Sequence, residues 1–191
     1  MKLVFATHNQ NKLKEVQALV PAGITLVSLK DIDCLEPIAE TEPTLQGNAK
    51  LKADYITEHY NLPCFADDTG LMVNVLNGEP GVFSARYAGD QNDADANMDK
   101  VLRNLSDKKD RSASFKTVIA LNLSNETMFF EGEIIGSILE TKQGQKGFGY
   151  DPIFKPKGYE RSFAELPLNI KNEISHRGIA FAKLIEYLNT L

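Results

Sequence analysis

The chain opens on a short apolar strand that runs straight into a helix, and little else in the sequence constrains the fold as strongly. Leu3-Val-Phe-Ala6 is followed by Thr7, His8 and Asn9, and then by Leu13, Val16 and Val20 at helical spacing. A helix start presents unpaired backbone N–H groups and the favourable end of the dipole, and Lys12 adds a full positive charge. That combination suits an anion, a phosphate chain above all. An ordinary βα turn capped by Thr7 or Asn9 fits the same residues, so the rest of the chain has to decide.

The alternation continues. Ile24–Leu29 reads as a second strand parallel to the first, and a helix is expected from about Thr44 to Tyr60 with Leu45, Ala49, Ala53 and Ile56 as its buried stripe. Cys64–Asp67 and Leu71–Val75 read as two short strands before the Asn77-Gly78 turn signal. Asp93–Leu105 is expected to be a helix burying Met98, Val101 and Leu105. Phe115–Leu123 and Thr127–Ile138 form an antiparallel hairpin around Ser124-Asn125-Glu126. A last helix after Ser175 carries Phe181, Leu184, Ile185 and Leu188. These elements predict an α/β protein, 1–191 as one domain, with a smaller lobe within about 80–145 and a cleft between lobes for a ligand.

At 191 residues the chain can bury a substantial core. A net charge of -5 excludes a protein that coats nucleic acid, though a carboxylate-rich site can hold a nucleotide through a divalent cation. Cys34 and Cys64 lack metal-ligand spacing and read as reduced thiols, Cys64 as a buried strand residue. The first apolar run ends at Ala6, too early for a signal peptide, and no stretch spans a bilayer, so a cytoplasmic location is expected.

Four further segments carry possible chemistry, each with a plain structural alternative. Asp67-Asp68-Thr69-Gly70 places two carboxylates at a strand end, where one can hold a metal or act as a base, although the same residues are good turn chemistry. Glu40-Thr41 precedes a helix on which Asn48 and Lys52, four apart, share a face; a dipole partner and a solvated lysine explain them equally well. Gly147-Phe148-Gly149-Tyr150-Asp151-Pro152 pairs glycines that allow close approach with an aromatic stacking surface, or it is a glycine-rich turn. In that loop Asp151 either reads a base edge or anchors the backbone. Lys171 stands before Ser175-His176-Arg177-Gly178, where Ser175 is a natural N-cap that puts His176 and Arg177 in the first turn of the final helix, against its dipole; this points to use in a site, or the two are a satisfied surface pair. Lys108-Lys109-Asp110-Arg111 reads as a solvated loop.

In this order, the segments resemble the inosine/xanthosine triphosphate pyrophosphatase family over essentially the whole chain, including Pro80-Gly81 and Ser84-Ala-Arg86-Tyr87. The resemblance implies hydrolysis of deaminated purine nucleoside triphosphates (ITP, dITP, XTP) to the monophosphate and pyrophosphate. It implies an elongated mixed sheet with flanking helices, two lobes around a central cleft, Mg²⁺ as cofactor, and a homodimer. Thr7, His8, Asn9, Gln10, Asn11 and Lys12 would line the triphosphate site, with Lys52 as a further phosphate contact. Glu40 and Asp68 would be the magnesium-associated carboxylates, and Asp68 also the proton acceptor. Thr69, the loop Phe148, Gly149, Tyr150 and Asp151, and Lys171, His176 and Arg177 would contact the nucleotide. Gly47 departs from the family pattern, since many relatives carry an acidic residue there.

The implied chemistry is in-line attack on the α-phosphorus by a water that Asp68 orients and deprotonates. Donors from His176, Arg177 or loop N–H groups would suit a 6-oxo base and leave adenine mismatched, while guanine would have to be rejected near its 2-amino group. A pyrophosphatase for modified pyrimidine nucleotides and a non-catalytic nucleotide sensor are the alternatives.

Overall fold

A computed structural model describes residues 1–8, 10–17 and 19–191, leaving the side chains of Gln10, Asn11, Lys14 and Glu15 undescribed. The strands are β1 (Lys2–Phe5), β2 (Thr25–Ser28), β3 (Cys64–Val73), β4 (Ser112–Leu123), β5 (Glu126–Ile138) and β6 (Phe154–Pro156). The helices are α1 (Gln10–Gln17), α2 (Leu45–Tyr60), α3 (Ala94–Asn104), α4 (Leu168–Ile174) and α5 (His176–Leu188). The strands form one sheet in the order β2-β1-β3-β4-β5-β6. β1 runs parallel to β2, Leu3 opposite Leu26, and parallel to β3, Phe5 opposite Phe65, whereas β5 and β6 are antiparallel with Ser137 opposite Lys155. The protein is therefore α/β with a mixed sheet and flanking helices, the class the alternating pattern predicts.

The chain divides into two compact units. The first comprises Met1–Asp68, Thr117–Glu131 and Ala180–Leu191. Its core gathers Leu3 and Phe5 of β1, Val16 of α1, Phe65 of β3, Ile119 and Leu121 of β4, and Phe181, Leu184 and Leu188 of α5. Phe5 stacks on Phe65 at 4.5 Å between ring centroids, and Phe181 meets both edge-on. α2 is started by Thr44, whose hydroxyl accepts the Gly47 N–H at 3.0 Å, and buries the expected Leu45, Ala49, Ala53 and Ile56. The β4–β5 link is the two-residue turn Ser124-Asn125, both at positive φ, which matches the twist of a tight hairpin.

The second unit comprises Thr69–Lys116 and Gly132–Ile179. Leu71 and Val73 of β3, Val101 and Leu105 at α3, Phe115 of β4, and Phe154 and Phe163 fill its core. Asp93 caps α3 by accepting the Asp95 and Ala96 N–H groups, and Met98, Val101 and Leu105 are buried as expected. Both cysteines are free and buried, and burial drives the Cys64 thiol pKa upward.

Two expectations need correction, and two elements are added. Asp67-Asp68-Thr69-Gly70 is not a turn: β3 runs unbroken from Cys64 to Val73, replacing the two short strands expected. Acidic residues are tolerated in that buried strand because lysines meet them, as described below. The segment Phe154–Pro156 is a strand, and Leu168–Ile174 is a helix the pattern did not announce. That helix is seven residues long, lacks a side-chain cap and buries no residue fully, so it leaves no amphipathic signature. Finally, Lys108, Lys109 and Asp110 are exposed as expected, but Arg111 is half-buried and engaged. Its guanidinium donates to the carbonyls of Leu105 (3.0 Å), Ile138 (2.7 Å) and Leu139 (2.7 Å), clamping the end of α3 to the end of β5. Arg111→Ala is expected to cost about 2–4 kcal/mol, read from the denaturant midpoint, because three carbonyls lose charge-assisted donors together.

Candidate active site

In the first unit, the chemistry centres on Lys52. α2 carries Asn48 and Lys52 one turn apart on the face toward β3. The Lys52 ammonium donates to Glu40 Oε1 at 2.6 Å and to the Asp67 carbonyl at 2.8 Å, and lies 3.4 Å from Asp68 Oδ1. Its three N–H bonds thus have three acceptors. Burial acts to lower the Lys52 pKa, but the charges of Asp68, Glu40 and Asp67 outweigh it and hold the ammonium above its ordinary value.

Strand alternation sends Asp67 the other way. Its buried carboxylate takes the Lys12 ammonium at 2.6 Å. Among the described residues, Lys12 and Lys52 thus meet the carboxylates of Glu40, Asp67 and Asp68. Of these, Asp68 is the most strongly perturbed. Burial, helped by Glu40 and Asp67, pushes its pKa up to about 6, against the opposing pull of Lys52. Its Oδ2 is buried and has no hydrogen-bond partner among the described residues, and the same holds for Asn48 Nδ2. Asn48 Oδ1 accepts the Glu42 N–H at 2.9 Å, which fixes the amide, and its NH₂ lies near enough to Asp68 to favour the charge without closing a full hydrogen bond.

These features fit a divalent cation completed by a ligand. Among the described residues no three His, Cys, Asp or Glu side chains gather closely enough to hold an ion. An Mg²⁺ ion commonly needs only one or two carboxylates when phosphate oxygens supply the rest. The Asp68 oxygen left without a hydrogen bond among the described residues suits that arrangement, with Glu40 as the second carboxylate.

In the second unit, the Gly147–Asp151 loop is built around an anchored aspartate. The buried Asp151 accepts, through Oδ2, the Phe148 N–H at 2.7 Å and the Lys171 ammonium at 2.5 Å. Of the two uses the sequence left open for Asp151, the carboxylate is engaged in the loop anchor. Phe148 is half exposed (51%), with Lys171 Nζ and Arg177 Cζ each 5.0 Å from its ring centroid. Arg177 Nε is buried and has no hydrogen bond among the described residues. The buried His176 stacks on Phe115 at 4.6 Å, and Ser175 accepts the Gly178 N–H at 3.1 Å, opening α5 as expected. The buried Tyr150 donates its hydroxyl to the Ser84 carbonyl at 2.7 Å, and burial raises its pKa.

The remaining predicted residues are less informative. Thr7 is half-buried and donates its N–H to the Phe5 carbonyl at 2.7 Å, while the exposed His8 places Nε2 3.4 Å from the Glu36 carbonyl. Asn9 and the side chains of Gln10 and Asn11 lie outside the described residues. Thr69 is half-buried in β3, and Gly149 adopts φ 61°.

The Ham1 family profile matches residues 3–187 of this chain. The chain belongs to the Ham1 family. It is 59% identical over 189 residues to a Christiangramia forsetii protein named dITP/XTP pyrophosphatase, covering 99% of this chain and 100% of that one. It is 58% identical over 188 residues to a Flavobacterium johnsoniae protein of the same name, at 98% of each. The solved structure of a HAM1 protein from Coxiella burnetii superposes with a TM-score of 0.95 at 38% identity, covering 100% of both chains.

Sequence reasoning underrated two groups of this Ham1-family site. Strand alternation separates Asp67 from Asp68, but only the fold shows that Lys12 is the partner of Asp67. The spacing of Asn48 and Lys52 gives their shared face but not the approach of Asn48 to Asp68. The loop also yields a direct prediction. Gly147 adopts φ 82°, and a Cβ there would lie 2.1 Å from Asp151 Oδ2, so any side chain breaks the anchor. Gly147→Ala is expected to raise KM for the nucleotide about tenfold or more, with a smaller change in kcat, in steady-state kinetics.

Proposed function

We propose that this Ham1-family protein hydrolyses deaminated purine nucleoside triphosphates (ITP, dITP and XTP) to the monophosphate and pyrophosphate, removing them from the nucleotide pool. The observation that carries the reading is Asp68, a buried carboxylate with an oxygen unpartnered among the described residues and a pKa of about 6, held beside the Lys52 ammonium. A carboxylate poised there is suited to take a proton from water near neutral pH. The names of close relatives support the substrate class, and the family resemblance supports a homodimer working in the cytoplasm. Among the described residues no helix is long and apolar enough to cross a membrane.

The residues divide the work. Lys52 and Lys12 offset the charge of the polyphosphate, and the α1 N-terminus adds its N–H groups. Glu40 and Asp68 would hold Mg²⁺, which when bound neutralises phosphate charge and stabilises the departing pyrophosphate. Asp68 orients a water for in-line attack on the α-phosphorus and accepts its proton. At the base end, the exposed Phe148 ring offers a stacking face, and Arg177, whose Nε–H has no hydrogen bond among the described residues, offers a donor suited to a 6-oxo group.

Pyrophosphate release from ITP, XTP, dTTP and ATP with Mg²⁺ tests the reading. Turnover of ITP and XTP at least about a hundredfold above ATP is expected, since adenine leaves a buried donor unmatched. Preference for a pyrimidine nucleotide, or binding without turnover, would overturn it.

A further inference from the structure

The segment Pro80–Tyr87 marks the family in sequence, yet none of its residues has a part in the chemistry above. It forms a 3-10 turn over Gly81–Arg86 in the second unit, and Ser84 within it is buried. Ser84 bonds to Tyr150, Leu71 and Gly81. Its carbonyl accepts the Tyr150 hydroxyl at 2.7 Å. Its own hydroxyl accepts the Leu71 N–H at 2.9 Å and donates to the Gly81 carbonyl at 2.6 Å. Leu71 lies in β3, three residues beyond Asp68, and Tyr150 lies in the Gly147–Asp151 loop. One buried residue therefore ties the loop to β3 within the second unit.

The loop needs such a tie. Gly147 and Gly149 both adopt positive φ, so its backbone has few intrinsic restraints. Its two side-chain anchors are the Asp151 carboxylate and the Tyr150 hydroxyl. The first fixes Phe148 relative to α4 through Lys171; the second fixes the loop relative to β3 through Ser84. Discrimination between 6-oxo purines that differ at one ring substituent depends on holding the ring face to a fraction of an ångström.

We infer that Ser84 and the Tyr150 hydroxyl are positioning groups that hold the base loop in register with β3 and thereby set selectivity among 6-oxo purine nucleotides. This rests on the proposed assignment of the loop to the base. Tyr150→Phe keeps the ring and deletes the bond. It is expected to raise KM for dITP about tenfold, leave kcat within about threefold, and lower the dITP-over-dGTP preference about tenfold, the scale of one lost buried hydrogen bond. Amide hydrogen exchange at Phe148 and Leu71 is expected to accelerate about tenfold, whereas a purely local role would leave Leu71 unmoved.

Tyr87→Phe is the control. The Tyr87 hydroxyl donates to Glu79 at 2.7 Å and accepts from Asn104 at 2.9 Å, outside the bridge. Its kinetics should match the wild type. Unchanged KM, preference and exchange in Tyr150→Phe would overturn the inference, as would equal kinetic losses in Tyr87→Phe. If the unaltered protein fails to turn over dITP, the functional reading falls by that result alone. Exchange at Leu71 in Tyr150→Phe still decides whether the bridge couples loop and strand.

Discussion

Asp68→Asn is expected to bind dITP with little loss and to turn it over about 10²- to 10⁴-fold more slowly, the range for losing a positioned general base. The amide keeps the shape of the carboxylate but cannot accept the proton of the attacking water. The same substitution should stabilise the protein without substrate. Burial raises the Asp68 pKa from 3.8 to about 6, so the folded protein holds this proton more tightly than the unfolded chain. The sign follows from linkage: stability from this group is present below the unfolded pKa and is lost as pH rises from about 4 through about 6. Above that the ionised carboxylate costs about 3 kcal/mol, two pKa units at 1.36 kcal/mol each. Asp68→Asn should therefore melt higher than the wild type at pH 8, with the gap closing toward pH 4. Comparing melting temperatures at the two pH values checks this; a variant less stable at pH 8 would show that the Asp68 charge is well accommodated.

Lys52→Met is expected to lose both stability and rate. It removes the donor from Glu40, Asp67 and Asp68 at once, and Asp68 loses the charge that opposes its burial. Removing one member of a buried ion pair costs about 3–5 kcal/mol; the lower end is expected, since the Glu40 side chain is 27% exposed. The rate should fall about 10²- to 10³-fold, as for loss of one fixed positive group facing developing charge. The base and the lysine act as a unit, so the double variant with Asp68→Asn should cost far less than the sum of the two single losses. Additive losses would mean that Lys52 and Asp68 serve separate steps.

Much of this architecture is legible in the sequence where one physical rule dominates. Leu45, Ala49, Ala53 and Ile56 announce α2 because only a helix brings them to one face, and Thr44 and Asp93 announce their helix starts by capping chemistry. The α/β alternation follows from such local signals. β3 is hidden in the sequence because Asp67-Asp68-Thr69-Gly70 obeys turn propensity, and only its partners reverse that. Lys12 comes from 55 positions away and Lys52 from 15, so no local window shows the compensation. Arg111 illustrates the same gap: a charged tetrapeptide resembles solvated loop until the carbonyls of residues 138 and 139 arrive. At the candidate site, the residue types and their order were readable, whereas the division of labour was not. That Asp151 anchors its loop, that His176 packs on Phe115 and that Asn48 faces Asp68 all depend on tertiary neighbours.

The most direct test of the central claim, that water activated beside Asp68 attacks the α-phosphorus, is a single turnover of dITP in ¹⁸O-labelled water with Mg²⁺. Mass spectrometry of the products should find one labelled oxygen in the deoxynucleoside monophosphate and none in pyrophosphate. Label in pyrophosphate would place the attack on the β-phosphorus and contradict the account.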